Sequence, residues 1–205
     1  MGLTTGPTTG LAVEIIGLII FLGAHVFVTM RDERASLVTR IGEWPYRGLF
    51  SLVSIVGILL IAYGFASYRA AGMIMVWNPP AWTRHIVVVL MWPASIMVAA
   101  AYIPGNIKRV LKHPMLAGVK TWAFAHLCAN GDLGGIILFG SVLAWAVYDR
   151  ITLKHRADPG APPIPVGGVK NDMIAVVVGT IIYLALGFVF HPVVIGVPAF
   201  APAGG

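Results

Sequence analysis

The residues of this sequence best suited to chemistry are its six histidines. A neutral imidazole can be buried in an apolar environment at modest cost, yet it remains a strong ligand for haem iron, copper or zinc. His25 and His126 fall well inside long apolar stretches, whereas His155 lies in a charged segment where we expect a solvated side chain. His25 and His126 are therefore the first candidates for metal ligands.

The first apolar stretch carries its polar and aromatic residues at helical spacing. Separations of 4, 7 and 11 residues return to nearly the same angle of a helix and place four residues on one face: Glu14, Leu18, Phe21 and His25. His25 should therefore face inward beside an aromatic ring. Glu14 lies only three residues into its predicted span, so we expect its carboxyl to reach water.

A second stripe surrounds His126. Trp122, His126 and Asn130 are four residues apart and place an aromatic wall, an imidazole and an amide in a line. Such a stripe could line a planar cofactor. The spacing equally allows both histidines to hydrogen-bond neighbouring helices, which is a common role for such residues in membrane proteins.

The remaining histidines and Lys120 occupy less informative positions. Proline at the first helical position is favourable, so His113-Pro114 predicts the start of a helix, whereas His191-Pro192 predicts a kink or end near the outer surface. His85 lies at the mouth of a predicted span. Lys120 is expected to extend toward the cytoplasmic headgroups.

Conventional catalytic and metal motifs are missing from the sequence. A single cysteine, Cys128, excludes an internal disulfide, and its apolar surroundings favour a small buried hydrophobe. HExxH, GxSxG, GxGxxG and phosphate-loop patterns do not occur, so zinc-protease, serine-hydrolase and nucleotide chemistry have no support.

The composition indicates that a membrane must position these residues. Of the 205 residues, 58% are apolar and only 11% are charged, whereas soluble domains carry about 25% charged residues. This excludes a soluble enzyme, a disordered protein and a disulfide scaffold. Stretches of roughly 17–25 apolar residues predict six spans, at 11–30, 48–68, 84–104, 114–130, 133–149 and 172–196.

The six spans predict an all-α, polytopic membrane helix bundle that forms a single domain, and the segments between them can be assigned as well. We predict a short polar tail at 1–10 with no signal peptide, a loop at 31–47, a tight turn at 130–132 and a Pro/Gly linker at 157–168. Lys and Arg concentrate in the first, third and fifth loops, which predicts that both termini lie on the periplasmic side. The net charge of +6 then needs no nucleic-acid partner.

Several runs resemble the NnrU family of bacterial inner-membrane proteins. They include the FLGAH run at 21–25, the KHPMLAG run at 112–118, KTWAFAHL at 120–127 and ANGDL at 129–133. The resemblance covers about residues 11–156. By its name the family is linked to expression of nitrite and nitric oxide reductases. It is also related to the ζ-carotene isomerase, a b-haem enzyme that isomerises a polyene.

The resemblance implies a site as well as a location in the multi-pass inner membrane. The isomerase's haem-ligating histidines correspond to His25 and His126 here. One departure is Ala123, which stands where the isomerase has a cysteine implicated in ligand switching. This difference argues against the same isomerase cycle and for haem sensing, storage or electron transfer.

Our prediction from sequence is a b-haem between His25 and His126, walled by Phe21, Trp122 and Asn130. At 1.5 Å per residue, the predicted spans place His25 about 8 Å and His126 about 18 Å above their cytoplasmic ends, so His85 is kept as an alternative partner for His126.

The predicted role is accessory to denitrification or nitric oxide metabolism, in contact with the lipid bilayer and with nitric oxide or a lipid-soluble small molecule. One alternative is a haem-dependent cis-trans isomerase of a polyene such as ζ-carotene. Another is a cofactor-free assembly or transport factor.

Overall fold

The regular structure of the chain is helical. The computed structural model describes residues 6–155 and 166–200. Within these ranges eight α-helices are followed by one π-helical segment: α1 Pro7–Phe27, α2 Arg31–Ile41, α3 Glu43–Ala70, α4 Thr83–Tyr102, α5 Asn106–Leu111, α6 Pro114–Ala129, α7 Leu133–Lys154, α8 Gly168–Ala185 and the π-helical segment Leu186–Ile195. The predicted all-α class is confirmed.

Five of these elements are long and apolar enough to cross a bilayer. They are α1, α3, α4, α7 and the continuous helix formed by α8 and the π-helical segment. The remaining predicted span corresponds to α6, which has 16 residues and is therefore about 24 Å long, shorter than a hydrocarbon core of about 30 Å. The chain is a multi-pass membrane protein, while six spans and periplasmic termini stay predictions.

The connecting segments differ in part from those expected. The first helix begins at Pro7, and the segment predicted as a loop at 31–47 contains α2 and the first residues of α3. The three-residue turn at 130–132 is found, and Asp132 caps α7 by accepting a 2.8 Å hydrogen bond from the Gly135 nitrogen. Most of the predicted linker at 157–168, and residues 1–5 of the tail, lie outside the described residues.

The chain divides into two compact units. The first unit contains residues up to Trp77 together with Asp132–Ser141, and the second contains Asn78–Gly131 together with the residues from Val142 onward. The helix α7 thus contributes its first part to one unit and its remainder to the other.

In the first unit, α1 and α3 pack through glycines spaced seven residues apart on each helix. A Cβ on Gly17 would lie 2.6 Å from the Ile61 nitrogen, and a Cβ on Gly57 would lie 2.8 Å from the Phe21 Cβ. Gly10 and Gly64 are equally close to the opposite backbone. Small residues at such spacing allow membrane helices to approach closely, which maximises van der Waals contact.

In the second unit, α4 packs against both α6 and α8. A Cβ on Gly118 of α6 would lie 2.9 Å from the Ala94 oxygen of α4, and Gly179 of α8 is similarly close to Ile96. A hydrogen bond between side chains also joins α4 and α8. The Trp92 Nε1 donates to Thr180 Oγ1 at 3.0 Å.

The winding of the last helix changes before the His191-Pro192 pair, and the helix ends three residues after Pro192, close to where the sequence predicts a kink or end. From Leu186 to Ile195 the backbone is π-helical, and Gly196 ends the segment in the left-handed conformation with φ of 75°. Proline has no N–H to donate in an α-helical ladder. The π-helical segment contains both Pro192 and His191, and both belong to the second unit.

Candidate functional site

His25 lies near the end of α1 in the first unit, within an aromatic cluster. Its Nδ1 donates a 2.7 Å hydrogen bond to the Phe21 oxygen. The imidazole ring centroid lies 4.2 Å from that of Phe21 and 5.2 Å from that of Phe50 in α3. The predicted inward face of α1 is therefore found, because it contacts α3.

On the same face, the structure corrects the prediction for Glu14. Glu14 is fully buried rather than in contact with water, and neither of its carboxyl oxygens has a hydrogen-bond partner. The prediction was wrong because α1 begins at Pro7, which places Glu14 two turns inside the helix rather than at its start. A Cβ on Gly134 would lie 3.1 Å from Glu14 Oε2, so the glycine leaves space for the carboxyl.

His126 is positioned by the stripe on α6. Its side chain is 8% exposed, and its Nδ1 donates a 2.8 Å hydrogen bond to the Trp122 oxygen. The Trp122 ring centroid lies 5.3 Å from that of the imidazole. Because a carbonyl oxygen can only accept, Nδ1 carries the proton, and the lone pair of the neutral imidazole lies on Nε2.

Asn130 follows the last residue of α6, and its side-chain amide forms a hydrogen bond back to that helix. Its Nδ2 donates to the His126 oxygen at 2.8 Å, and its backbone nitrogen donates to the same oxygen at 2.9 Å. Asn130 therefore satisfies a carbonyl at the C-terminus of α6, where the helix lacks an internal donor. Its predicted place in a cofactor wall stays a prediction.

In the second unit His191 also lies close to His126, a contact that the sequence patterns do not predict. The ring centroids of His126 and His191 lie 6.2 Å apart, with an angle of 31° between the ring planes. His191 is partly buried and lies in the π-helical segment. The two residues are distant in sequence, so no helical spacing could reveal the contact.

The other histidines do not share this environment. His85 is exposed in the first turn of α4, and His155 is exposed at the end of α7, where its Nδ1 donates to the Ile151 oxygen at 2.9 Å. His113 precedes Pro114 at the start of α6, which confirms that prediction. A hydrogen bond from Nδ1 to the carbonyl four residues earlier therefore occurs at a surface histidine too, and burial is what distinguishes His126.

Within residues 6–155 and 166–200, no three His, Cys, Asp or Glu side chains are grouped so as to hold a metal ion. A structural zinc site needs about four protein ligands, and calcium takes 6–8 oxygen ligands. Haem iron differs, because the porphyrin occupies four positions and the protein supplies only the axial ligands. An imidazole pair fits that requirement.

Comparison with known families decides the relationship suggested by the sequence motifs. The family described as NnrU protein matches residues 14–199. The chain belongs to the NnrU family. No curated protein and no solved structure matches it.

The NnrU match extends the relationship beyond the motifs of residues 11–156. It includes α8 and the π-helical segment, so His191 lies within the family region together with His25 and His126. Ala123 is fully buried in α6. Cys128 is partly buried in the same helix.

Proposed function

We propose that this NnrU-family membrane protein binds b-type haem with His126 as an axial ligand, and that it is accessory to nitrite and nitric oxide reduction in a bacterial inner membrane. The accessory role follows from the resemblance to the family. The haem assignment has support of its own in the environment of one side chain.

The observation that carries the haem assignment is the buried, oriented imidazole of His126. Metal-ligating histidines usually donate their other ring N–H to a carbonyl or carboxylate, which fixes the tautomer and the orientation of the ring. His126 makes this bond to the Trp122 oxygen, and its 8% exposure limits access of water. Trp122 adds a flat apolar surface beside the ring.

The resemblance also implicates His25. Its Nδ1 donates to the Phe21 oxygen, so its tautomer is set in the same way, and Phe21 and Phe50 flank its ring. His25 belongs to the first unit and His126 to the second, and the pairing of the two on one iron stays a prediction.

The residues at His126 indicate what the chain itself contributes. When bound, haem iron supplies one-electron chemistry or a binding position for a diatomic gas. His126 would hold the iron through Nε2, while the Trp122 carbonyl keeps the proton on Nδ1 and the Trp122 ring flanks the imidazole. Because Nδ1–H donates a hydrogen bond to a carbonyl oxygen, the imidazole ring gains electron density and becomes a more basic ligand through Nε2.

The test is the haem content of purified protein expressed with a supply of haem. We expect a Soret band in the wild type and its loss in His126→Ala. His155→Ala is the matched control, because His155 makes the same Nδ1 bond at an exposed position. A colourless wild type, or full haem retention in His126→Ala, would overturn the proposal and favour a cofactor-free role.

A further inference from the structure

We infer that His191 supplies the second imidazole to the iron held by His126, so that both axial ligands come from the second unit. This inference rests on the proposed haem function and adds a residue to it. Neither helical spacing nor the family resemblance assigns a role to His191, and the His191-Pro192 pair predicts only a kink or end of a helix.

The separation of the two rings matches a shared metal ion. With a metal–nitrogen distance of about 2.0–2.1 Å, imidazoles on opposite sides of one ion have centroids roughly 6 Å apart. The observed centroid distance between His126 and His191 is 6.2 Å. The separation of the rings is therefore compatible with one iron between them.

The backbone around His191 supports a specialised role. π-helical winding is rare, and where it interrupts an α-helix it is frequently found at functional sites. Here it occupies Leu186–Ile195 and ends where Gly196 and Val197 both donate their backbone N–H groups to the His191 oxygen. An α-helix continued from α8 would hold fewer residues per turn and would present residue 191 at a different angle.

The number of protein side chains available as ligands favours haem over a bare zinc or calcium ion. The described residues contain no group of three metal-binding side chains that could complete a bare zinc or calcium site at this pair. Two imidazoles are sufficient for haem iron, whose four equatorial positions are filled by the porphyrin. His25 is then a packing residue between Phe21 and Phe50.

The experiment compares the ferric spectra and haem affinity of the full-length wild type with His191→Phe, His191→Met and His25→Phe. Phenylalanine keeps an aromatic ring at each position but removes the ligand nitrogen. Methionine offers a different axial ligand, which raises the reduction potential of a His/Met haem.

We expect the wild type to be low-spin with two imidazole ligands. His191→Phe should become high-spin and bind haem more weakly by roughly tenfold or more, since even groups that only orient a ligand change metal affinity by about 10–100-fold. His191→Met should remain low-spin with a higher potential, which shows that the site still folds. His25→Phe should retain the wild-type spectrum.

Other results overturn the inference in distinguishable ways. A low-spin bis-imidazole spectrum in His191→Phe would show that the two rings only pack together, and the proposed haem function would stand without it. Loss of the low-spin spectrum in His25→Phe, with His191→Phe unchanged, would assign the second ligand to the first unit. A wild type without haem would remove both the inference and the proposed function.

Discussion

The two units use their polar residues differently. In the first unit, α1 and α3 meet through glycines, and the buried Glu14 carboxyl lies in this close-packed interface without a hydrogen bond. In the second unit, aromatic rings and hydrogen-bonding side chains join the helices, and two imidazoles approach each other. Glycines bring helix backbones together in both units, and the difference between the units is that the first buries a carboxyl whereas the second brings two imidazoles together.

The largest effect expected from this difference is at a glycine of the first unit. Gly64→Ala would place a Cβ against the backbone of Glu14, and overpacking of this kind typically costs about 1–3 kcal/mol. Thermal unfolding in detergent measures the loss. Gly48→Ala in the same helix is the control, because a Cβ there meets no atom within 4 Å. Equal stability of the two variants would contradict the glycine interface.

The next largest loss of stability is expected at Tyr68, whose hydroxyl forms a hydrogen bond between α3 and the segment that follows it. Tyr68 is fully buried, and its hydroxyl accepts from the Ile74 nitrogen at 2.8 Å. Tyr68→Phe should cost about 1–2 kcal/mol because the Ile74 N–H loses its acceptor. The exposed Tyr63 of the same helix provides the control, and Tyr63→Phe should leave the unfolding temperature unchanged. A similar temperature for both variants would show that the hydroxyl does not stabilise the segment.

A smaller change of opposite sign is expected at Glu14. A buried polar group without a hydrogen bond is unfavourable, so Glu14→Met should stabilise the protein by about 1 kcal/mol, while Glu14→Gln, which keeps a polar group, should not. The same unfolding measurement checks both. Destabilisation by Glu14→Met would mean that the carboxyl binds a group that stabilises the first unit, and the contrast between the units would weaken.

The smallest effect is expected in the second unit, at a hydrogen-bonded carboxylate near the end of the bundle. Asp172 of α8 accepts from the Ile107 nitrogen at 2.9 Å and from Asn106 Nδ2 at 2.8 Å, which caps α5. Asp172→Ala should lower the unfolding temperature only slightly, because water can replace both bonds. Lys170→Ala is the control at an exposed position. A larger loss than in Tyr68→Phe would show that side-chain contacts dominate stability in this unit.

Local patterns in the sequence predict much of the fold. The charge content and the apolar stretches identify a helical membrane protein, and four-residue spacing correctly predicts the contact between the Trp122 and His126 rings. Asn130 instead follows α6 in extended backbone. The His113-Pro114 pair marks the start of α6 for the local reason that proline is favourable at the first helical position. These features depend on neighbours along the chain, which sequence reports directly.

Contacts between distant segments are what sequence alone does not provide. The predicted loop at 31–47 contains α2, because charged residues that interrupt the apolar stretches also form helices readily. The burial of Glu14 depends on Gly64 and Gly134, and the approach of His191 to His126 depends on the winding after Ala185. None of these follows from a periodic pattern.

Haem ligation by His126 and His191 is tested most directly by near-infrared magnetic circular dichroism of the ferric wild-type protein, since this measurement identifies the axial ligands of haem. We predict a low-spin signal with two imidazole ligands that depends on His126 and His191. A protein that remains colourless after haem is supplied, or a signal unchanged when His126 is replaced by alanine, would contradict it.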